Sequence, residues 1–336
     1  MSSNKVAIIG TGLIGTSIGL ALKKSLGDKL ELVGYDKDPE RSRQAVKLGA
    51  FNKSENNLLN AVEGADVVIL AVPLGAMPFV MKAASSSFSN NCVVTDTGST
   101  KAQVVKWAEE LLPAHVTFVP GHPMAGREVS GPEAAKADLF AGAMYCICPT
   151  VTTKKEALDV VVGLVESVGA KPLFIDPKEH DSYVSFVSHL PIILASALIS
   201  STNKSDGWRE ISRLVSSGYK DTSRLASGDP VMNTDICLYN KEHITARIDD
   251  YIEELKNWKT LINGDGVDLE KLFTRVWEAR ERVMSGVDMT QDTRPFEKIP
   301  SATEYLMGTV ATRKLSEALD KLTERSKSSS KDKKRS

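Results

Sequence analysis

The sequence predicts an α/β chain, a doubly wound and mostly parallel sheet followed by an all-α C-terminal half. Three observations carry this. β-rich runs alternate with helical patterns over the first half, at 5–10, 30–36, 66–73, 92–96, 116–120, 143–149 and 172–176. Several are apolar throughout, as in Val67-Val68-Ile69-Leu70-Ala71-Val72, which suits a strand covered by helices on both faces. Beyond Asp176-Pro177 no run of that quality recurs, and long helical patterns take over. Repeated βα units of this kind require right-handed crossovers, hence a helical layer on each side.

The first strand runs into Gly10-Thr11-Gly12-Leu13-Ile14-Gly15 and then a helical pattern over 14–26. Gly10 makes the tight turn, Gly12 lets the backbone approach a pyrophosphate, and Gly15 allows close helix–strand packing. The helix start at Leu13 and Ile14 offers unpaired N–H groups and a positive dipole end to an anion. The second strand ends at Asp36, 21 residues beyond Gly15. An acid there would accept from ribose hydroxyls and repel a 2′-phosphate. The constellation points to a Rossmann-like dinucleotide-binding domain that takes NAD, with NADP possible because Lys37 follows directly.

The fourth and fifth strands each lead into a polar segment at the carboxyl edge of the sheet, where ligands of open α/β folds sit. One is Asp96-Thr97-Gly98-Ser99-Thr100-Lys101, the other Gly121-His122-Pro123-Met124-Ala125-Gly126. A histidine between glycines at a strand end is poorly placed for a core, and imidazole is suited to taking a proton near neutral pH. His122 is therefore the candidate general base. Ser99 would hydrogen-bond the same substrate hydroxyl or cap the helical pattern over 101–111.

Further helices are expected over 181–201, 207–215, 230–261, 268–284 and 302–325. The expected organisation is a dinucleotide-binding domain over 1–176, a helical substrate and dimerisation domain over 177–325, and a disordered basic tail over 326–336. Basic and acidic residues, 42 and 43, nearly cancel, for a formal net charge of −1. Residues 325–336 hold six basic residues and one acidic, so the rest of the chain is acidic, with 36 basic against 42. Such a body argues against a nucleic-acid partner or an anionic membrane surface, and aromatics at 6% argue against a stacking platform for single strands. The four cysteines form no C-x-x-C pair, and no metal site is expected. The first residues lack the apolar core of a signal peptide, and the apolar stretch 65–81 is broken by Asp66, Pro73, Gly75 and Pro78, so a cytoplasmic protein is expected.

Taken in order, these residues resemble the prephenate and arogenate dehydrogenases of tyrosine biosynthesis. The likeness runs over roughly residues 5 to 284. It is carried by the glycine turn with Asp36, then Ala71-Val72-Pro73, Asp96 to Lys101, and Gly121 to Gly126 with Ser130-Gly131. In the helical half it continues with His180-Asp181, Ser188-His189-Leu190-Pro191, the segment 218–226 and Asp229-Pro230. The resemblance implies NAD-dependent oxidation of a cyclohexadienol with loss of its ring carboxylate, prephenate giving 4-hydroxyphenylpyruvate or arogenate giving tyrosine. It implies His122 as base, Ser99 holding the hydroxyl, and Arg224 as the fork that receives a substrate carboxylate. It places Ser188 and His189 beside the substrate, His189 in a supporting role, and Val72 and Pro73 beside the cofactor. It also implies a homodimer through the helical domain. Ile192 stands where relatives carry a second histidine after Leu-Pro, and Asn233 where they tend to carry tryptophan. The first departure keeps arogenate open beside prephenate. Two other readings share the architecture: a β-hydroxyacid dehydrogenase or imine reductase, which relies on a lysine in the helical domain, and a non-catalytic NAD sensor, which has no need for Ser99, His122 and Arg224 together.

Overall fold

The computed structural model describes residues 4–264 and 266–285, with Asp28 described by its backbone alone. The helix expected over 302–325 and the basic tail over 326–336 lie outside the described residues.

In chain order the first elements are β1 (Asn4–Ile9), α1 (Leu13–Leu26), β2 (Leu30–Tyr35), α2 (Pro39–Lys47), β3 (Lys53–Ser54), α3 (Leu58–Val62), β4 (Val67–Leu70), α4 (Met77–Ala84), β5 (Val93–Asp96), α5 (Ala102–Leu111) and β6 (Thr117–Val119). The six strands form one sheet in the order β3-β2-β1-β4-β5-β6, every pairing parallel. This is the order of dinucleotide-binding sheets, with the ligand crevice where the order reverses, between β1 and β4. Alternation along β1 and β4 divides the core. Val6, Ile8, Val67 and Ile69 pack on one side with Ile18 and Leu22 of α1. Ala7, Ile9, Val68 and Leu70 pack on the other with Met77, Met81 and Val104 of α4 and α5. Strands buried on both faces explain the unbroken apolar runs.

After Pro120 the chain leaves this sheet. β7 (Gly121–Pro123), β8 (Met144–Ile147) and β9 (Lys171–Phe174), with α6 (Lys155–Ser167) between the last two, make a separate three-stranded sheet. In it β7 runs antiparallel to β8, and β8 parallel to β9. The strands expected at 143–149 and 172–176 thus exist but belong to this second sheet, and the two-residue β3 had no sequence signal.

The helices that follow are α7 (Pro177–Val184), α8 (Leu190–Asn203), α9 (Trp208–Ile211), α10 (Ser217–Ser223), α11 (Pro230–Tyr239), α12 (Lys241–Ile262) and α13 (Val267–Met284). A π turn, Ser185–His189, joins α7 to α8. The pattern over 230–261 is two helices rather than one, broken at Asn240. Packing divides the chain into two compact units, Met1–Arg247 and Ile248–Ser336. In the second, Trp258 meets Phe273 edge to face at 5.0 Å.

Candidate active site

The glycine turn has the geometry its sequence requires. Gly10 adopts φ +98°, and a Cβ on it would lie 2.2 Å from the carbonyl oxygen of Ala71 and 3.0 Å from Cγ1 of Val72. A Cβ on Gly15 would lie 1.9 Å from the Gly10 carbonyl oxygen, so helix and turn touch through bare backbone. Gly12 differs: among the described residues nothing lies within 4 Å of where its Cβ would stand. It precedes α1, whose first turn holds Leu13 and Ile14 and receives no side-chain cap from Gly12. An open backbone face beside an uncapped helix start fits a pyrophosphate. Asp36, buried at the end of β2, accepts from Thr11 N at 2.8 Å and from Asp38 N at 3.0 Å. Its carboxylate is thereby held at the mouth of the turn. Val72 and Pro73 follow β4 at the same edge.

The second half of the site is built on a buried ion pair. Asp96, at the end of β5, and Lys101 are both fully buried and bonded to each other. Lys101 Nζ also donates to the carbonyl oxygen of Gly121 at 2.6 Å, and Asp96 accepts from Gly98 N at 2.8 Å and Gly121 N at 3.1 Å. The pair clamps the loop after β5 to the start of β7, one residue before His122.

His122 Nδ1 lies 2.9 Å from His180 Nε2, and His180 Nδ1 lies 2.8 Å from Asp181 Oδ1. Asp181 also accepts from Lys101 N at 2.7 Å and Ala102 N at 2.9 Å, so one side chain of α7 caps α5. The chain of contacts sets the protons. Asp181 accepts from His180 Nδ1–H, a neutral His180 then accepts at Nε2 from His122 Nδ1–H, and His122 Nε2 keeps its lone pair. Burial is the main cause that pushes the His122 pKa well below its ordinary value, with His180, Lys101 and His189 adding to it. Burial also lowers His180, against the opposing hydrogen bond from Asp181. Both rings are thus held neutral, as a waiting base requires.

His189 closes the π turn and is 1% exposed. Its Nδ1 lies 2.9 Å from Nδ2 of Asn240, and its Nε2 is buried with no well-formed hydrogen bond among the described residues. Burial drops its pKa to about 4, with His180 adding to the fall while Asp181 and the Ser99 backbone oppose it. Ser99 is half-buried between Gly98 and Thr100, its backbone close to His189, and Ser188 is half-buried next to His189 in the chain. Arg224 is not drawn into this cluster: its side chain is 60% exposed and pairs with Glu128, in the loop after β7. Ile192 is half-buried in the first turn of α8, and Asn233 in α11 has a buried Oδ1 without a hydrogen-bond partner among the described residues. Sequence reasoning missed Asn240 and the parts of Asp96, Lys101, His180 and Asp181. The adjacency of His180 and Asp181 was visible, but contacts across 20 to 80 residues leave no local pattern.

Residues 18–173 match the prephenate dehydrogenase nucleotide-binding domain, and residues 176–276 its dimerization domain. A prephenate dehydrogenase of Bacillus subtilis is 35% identical over 288 residues, covering 85% of this chain and 76% of that protein. The chain belongs to the prephenate dehydrogenase family. A cyclohexadienyl dehydrogenase of Zymomonas mobilis is 32% identical, over 82% of this chain and 94% of the relative. Among solved structures, prephenate dehydrogenase from A. aeolicus in complex with hydroxyphenyl propionate and NAD+ superposes with a TM-score of 0.76 at 32% identity, covering 85% of this chain and 99% of that one. Synechocystis arogenate dehydrogenase superposes with a TM-score of 0.70 at 28% identity, over 83% and 99%. As a member of this family the chain is a dehydrogenase, and its first half is the nucleotide-binding domain the glycine turn foretold, although that turn precedes the matched stretch.

Proposed function

We propose that the chain carries out the NAD-dependent oxidative decarboxylation of prephenate to 4-hydroxyphenylpyruvate, with His122 as the general base. The observation that carries this is the Asp181–His180–His122 chain, which leaves a proton-accepting Nε2 at the sheet edge. The relatives' names and the NAD+ complex support the substrate and the cofactor. Gly12 and the start of α1 would hold the pyrophosphate, and Asp36 the ribose. Bound NAD supplies the hydride acceptor for C4 of the ring.

The protein's own share is positioning and proton transfer. His122 Nε2 takes the C4 hydroxyl proton, and Ser99 holds that hydroxyl. The charge arising on His122 is met through His180 by Asp181, which stays in place because it also caps α5. The electrons released on loss of CO2 enter the forming aromatic ring, so no side chain need stabilise a full carbanion. Arg224 would exchange its Glu128 partner for a substrate carboxylate. A general base of this kind contributes about 10²–10⁴-fold in rate.

A second reading is supported by Ile192. The sec-butyl side chain of Ile192 lacks the hydrogen-bond capacity of the histidine found in relatives, which weakens recognition of a keto acid and favours arogenate. A homodimer through the helices of residues 176–276 belongs to the same proposal, as does a cytoplasmic setting in keeping with four free cysteines. NADH formation is measured with prephenate and with arogenate, using the natural chain and His122→Asn. Turnover of either substrate is expected, with kcat lower in the variant by about 10²-fold or more. Activity with neither substrate, or a loss within tenfold in the variant, rejects the corresponding part.

A further inference from the structure

Asn240 occupies the break between α11 and α12 and is 3% exposed. Its Nδ2 donates to the backbone carbonyl of Asp181 at 2.8 Å and lies 2.9 Å from His189 Nδ1. A carbonyl only accepts, so the first contact fixes which end of the carboxamide is nitrogen. The second hydrogen of that nitrogen then points to His189 Nδ1, which must accept it. A neutral His189 therefore carries its own proton on Nε2. That Nε2 is buried and makes no well-formed hydrogen bond among the described residues, the Ser99 backbone carbonyl being close enough only to raise the His189 pKa. Leaving such a donor without a full hydrogen bond is unfavourable. A cost retained beside the base is what a donor awaiting a ligand would show.

We propose that Asn240 is a positioning residue that holds His189 as an Nε2–H donor, facing an oxygen acceptor of the bound substrate or nicotinamide. The proposal rests on the dehydrogenase reading of this site. His122 and His189 then present opposite polarities: His122 accepts at Nε2, and His189 donates from it. The π turn puts His189 where Asn240 can reach it, while Asp181 holds both the carboxamide and the His180 contact. The titratable groups around His189 are Asp181 and His180 on α7 and His122 on β7. Asp181 and the Ser99 backbone favour a charged His189 and His180 disfavours it, so neutrality is set by burial against those two.

Two variants test this, N240D and N240L, in the full chain. The first readout is histidine 15N NMR of the protein without ligands, which reports the tautomer of each of the five histidines. In the natural chain His189 is expected as the Nε2–H tautomer from pH 5 to 8. In N240D the carboxylate would accept from Nδ1–H, and the His189 titration would rise by at least one pH unit. The second readout is kcat/KM against pH. N240D should lose activity as pH rises through the new titration, because the neutral ring then lacks its Nε2 proton; a merely structural change would not create that limb. N240L, which imposes no tautomer, should lower kcat/KM at least tenfold. A natural chain with His189 protonated on Nδ1 overturns the proposal, even if neither variant folds. An N240D protein with unchanged tautomer and pH profile, or an N240L protein within twofold of the natural kcat/KM, also overturns it. A natural chain that turns over neither substrate rejects the dehydrogenase reading instead, and the NMR result still decides the part of Asn240.

Discussion

At the scale of single residues, charge burial sets the terms of the site. Asp96 and Lys101 are both withdrawn from water, and each is tolerable only because of the other and of the backbone groups around them. Lys101→Met strands a buried carboxylate and is expected to cost about 3–5 kcal/mol, read from the denaturant midpoint. A loss below about 1 kcal/mol would show that water reaches Asp96. His122, His180 and His189 are all held below their ordinary pKa, chiefly by burial. The unfolded chain takes up protons on these rings near pH 6.5, before the folded chain does. Stability is therefore fully present above about pH 6.5 and is lost as pH falls towards the His189 value of about 4, at up to about 1.4 kcal/mol per pH unit and ring. Thermal melts from pH 7.5 to 4.5 should show Tm falling steadily over that window, and His189→Gln should flatten the slope. A Tm independent of pH would mean that the rings are hydrated and free to charge.

At the scale of elements, β1, the glycine turn and α1 were the most legible part, because each of their constraints is local. Gly10, Gly12 and Gly15 lie within one turn of each other, and the requirement for a missing Cβ can be read from spacing. Those constraints are separable by experiment. Gly12→Ala adds a methyl group to open space and should leave Tm unchanged while weakening NAD binding, whereas Gly15→Ala drives a methyl into the Gly10 carbonyl and should lower both. Isothermal titration with NAD, run beside melting curves, distinguishes the two, and equal NAD affinity in Gly12→Ala and the natural chain would remove the pyrophosphate from that face. The small second sheet was not legible, since β7 is three residues with proline among them and its partner β8 follows a long loop. Nor was the break at Asn240, which interrupts an apolar pattern that continues on either side. Its cause is tertiary: the carboxamide is needed by Asp181 and His189, far away in sequence.

At the scale of the whole molecule, the helices after Asp176 leave much apolar surface bare within the chain, including Val187 at 72%, Leu214 at 81% and, in the second compact unit, Trp277 at 62% exposure. Exposed apolar side chains suit the proposed association surface, and sedimentation at micromolar concentration should give a dimer; a monomer would reject the proposed assembly. By length and composition alone, Pro177–Asn203 would pass for a membrane span. It instead brings His180, Asp181 and His189 into the protein interior, beside the sheet edge. Asp181 is the point where fold and chemistry meet, since its two oxygens serve the start of α5 and the histidine chain together. A library randomised at this position and screened separately for solubility and for turnover would therefore contain almost no clones that are sound but inactive. Whatever breeding pressure acts on heat resistance also guards the base, and an engineer seeking to loosen this protein would have to begin elsewhere.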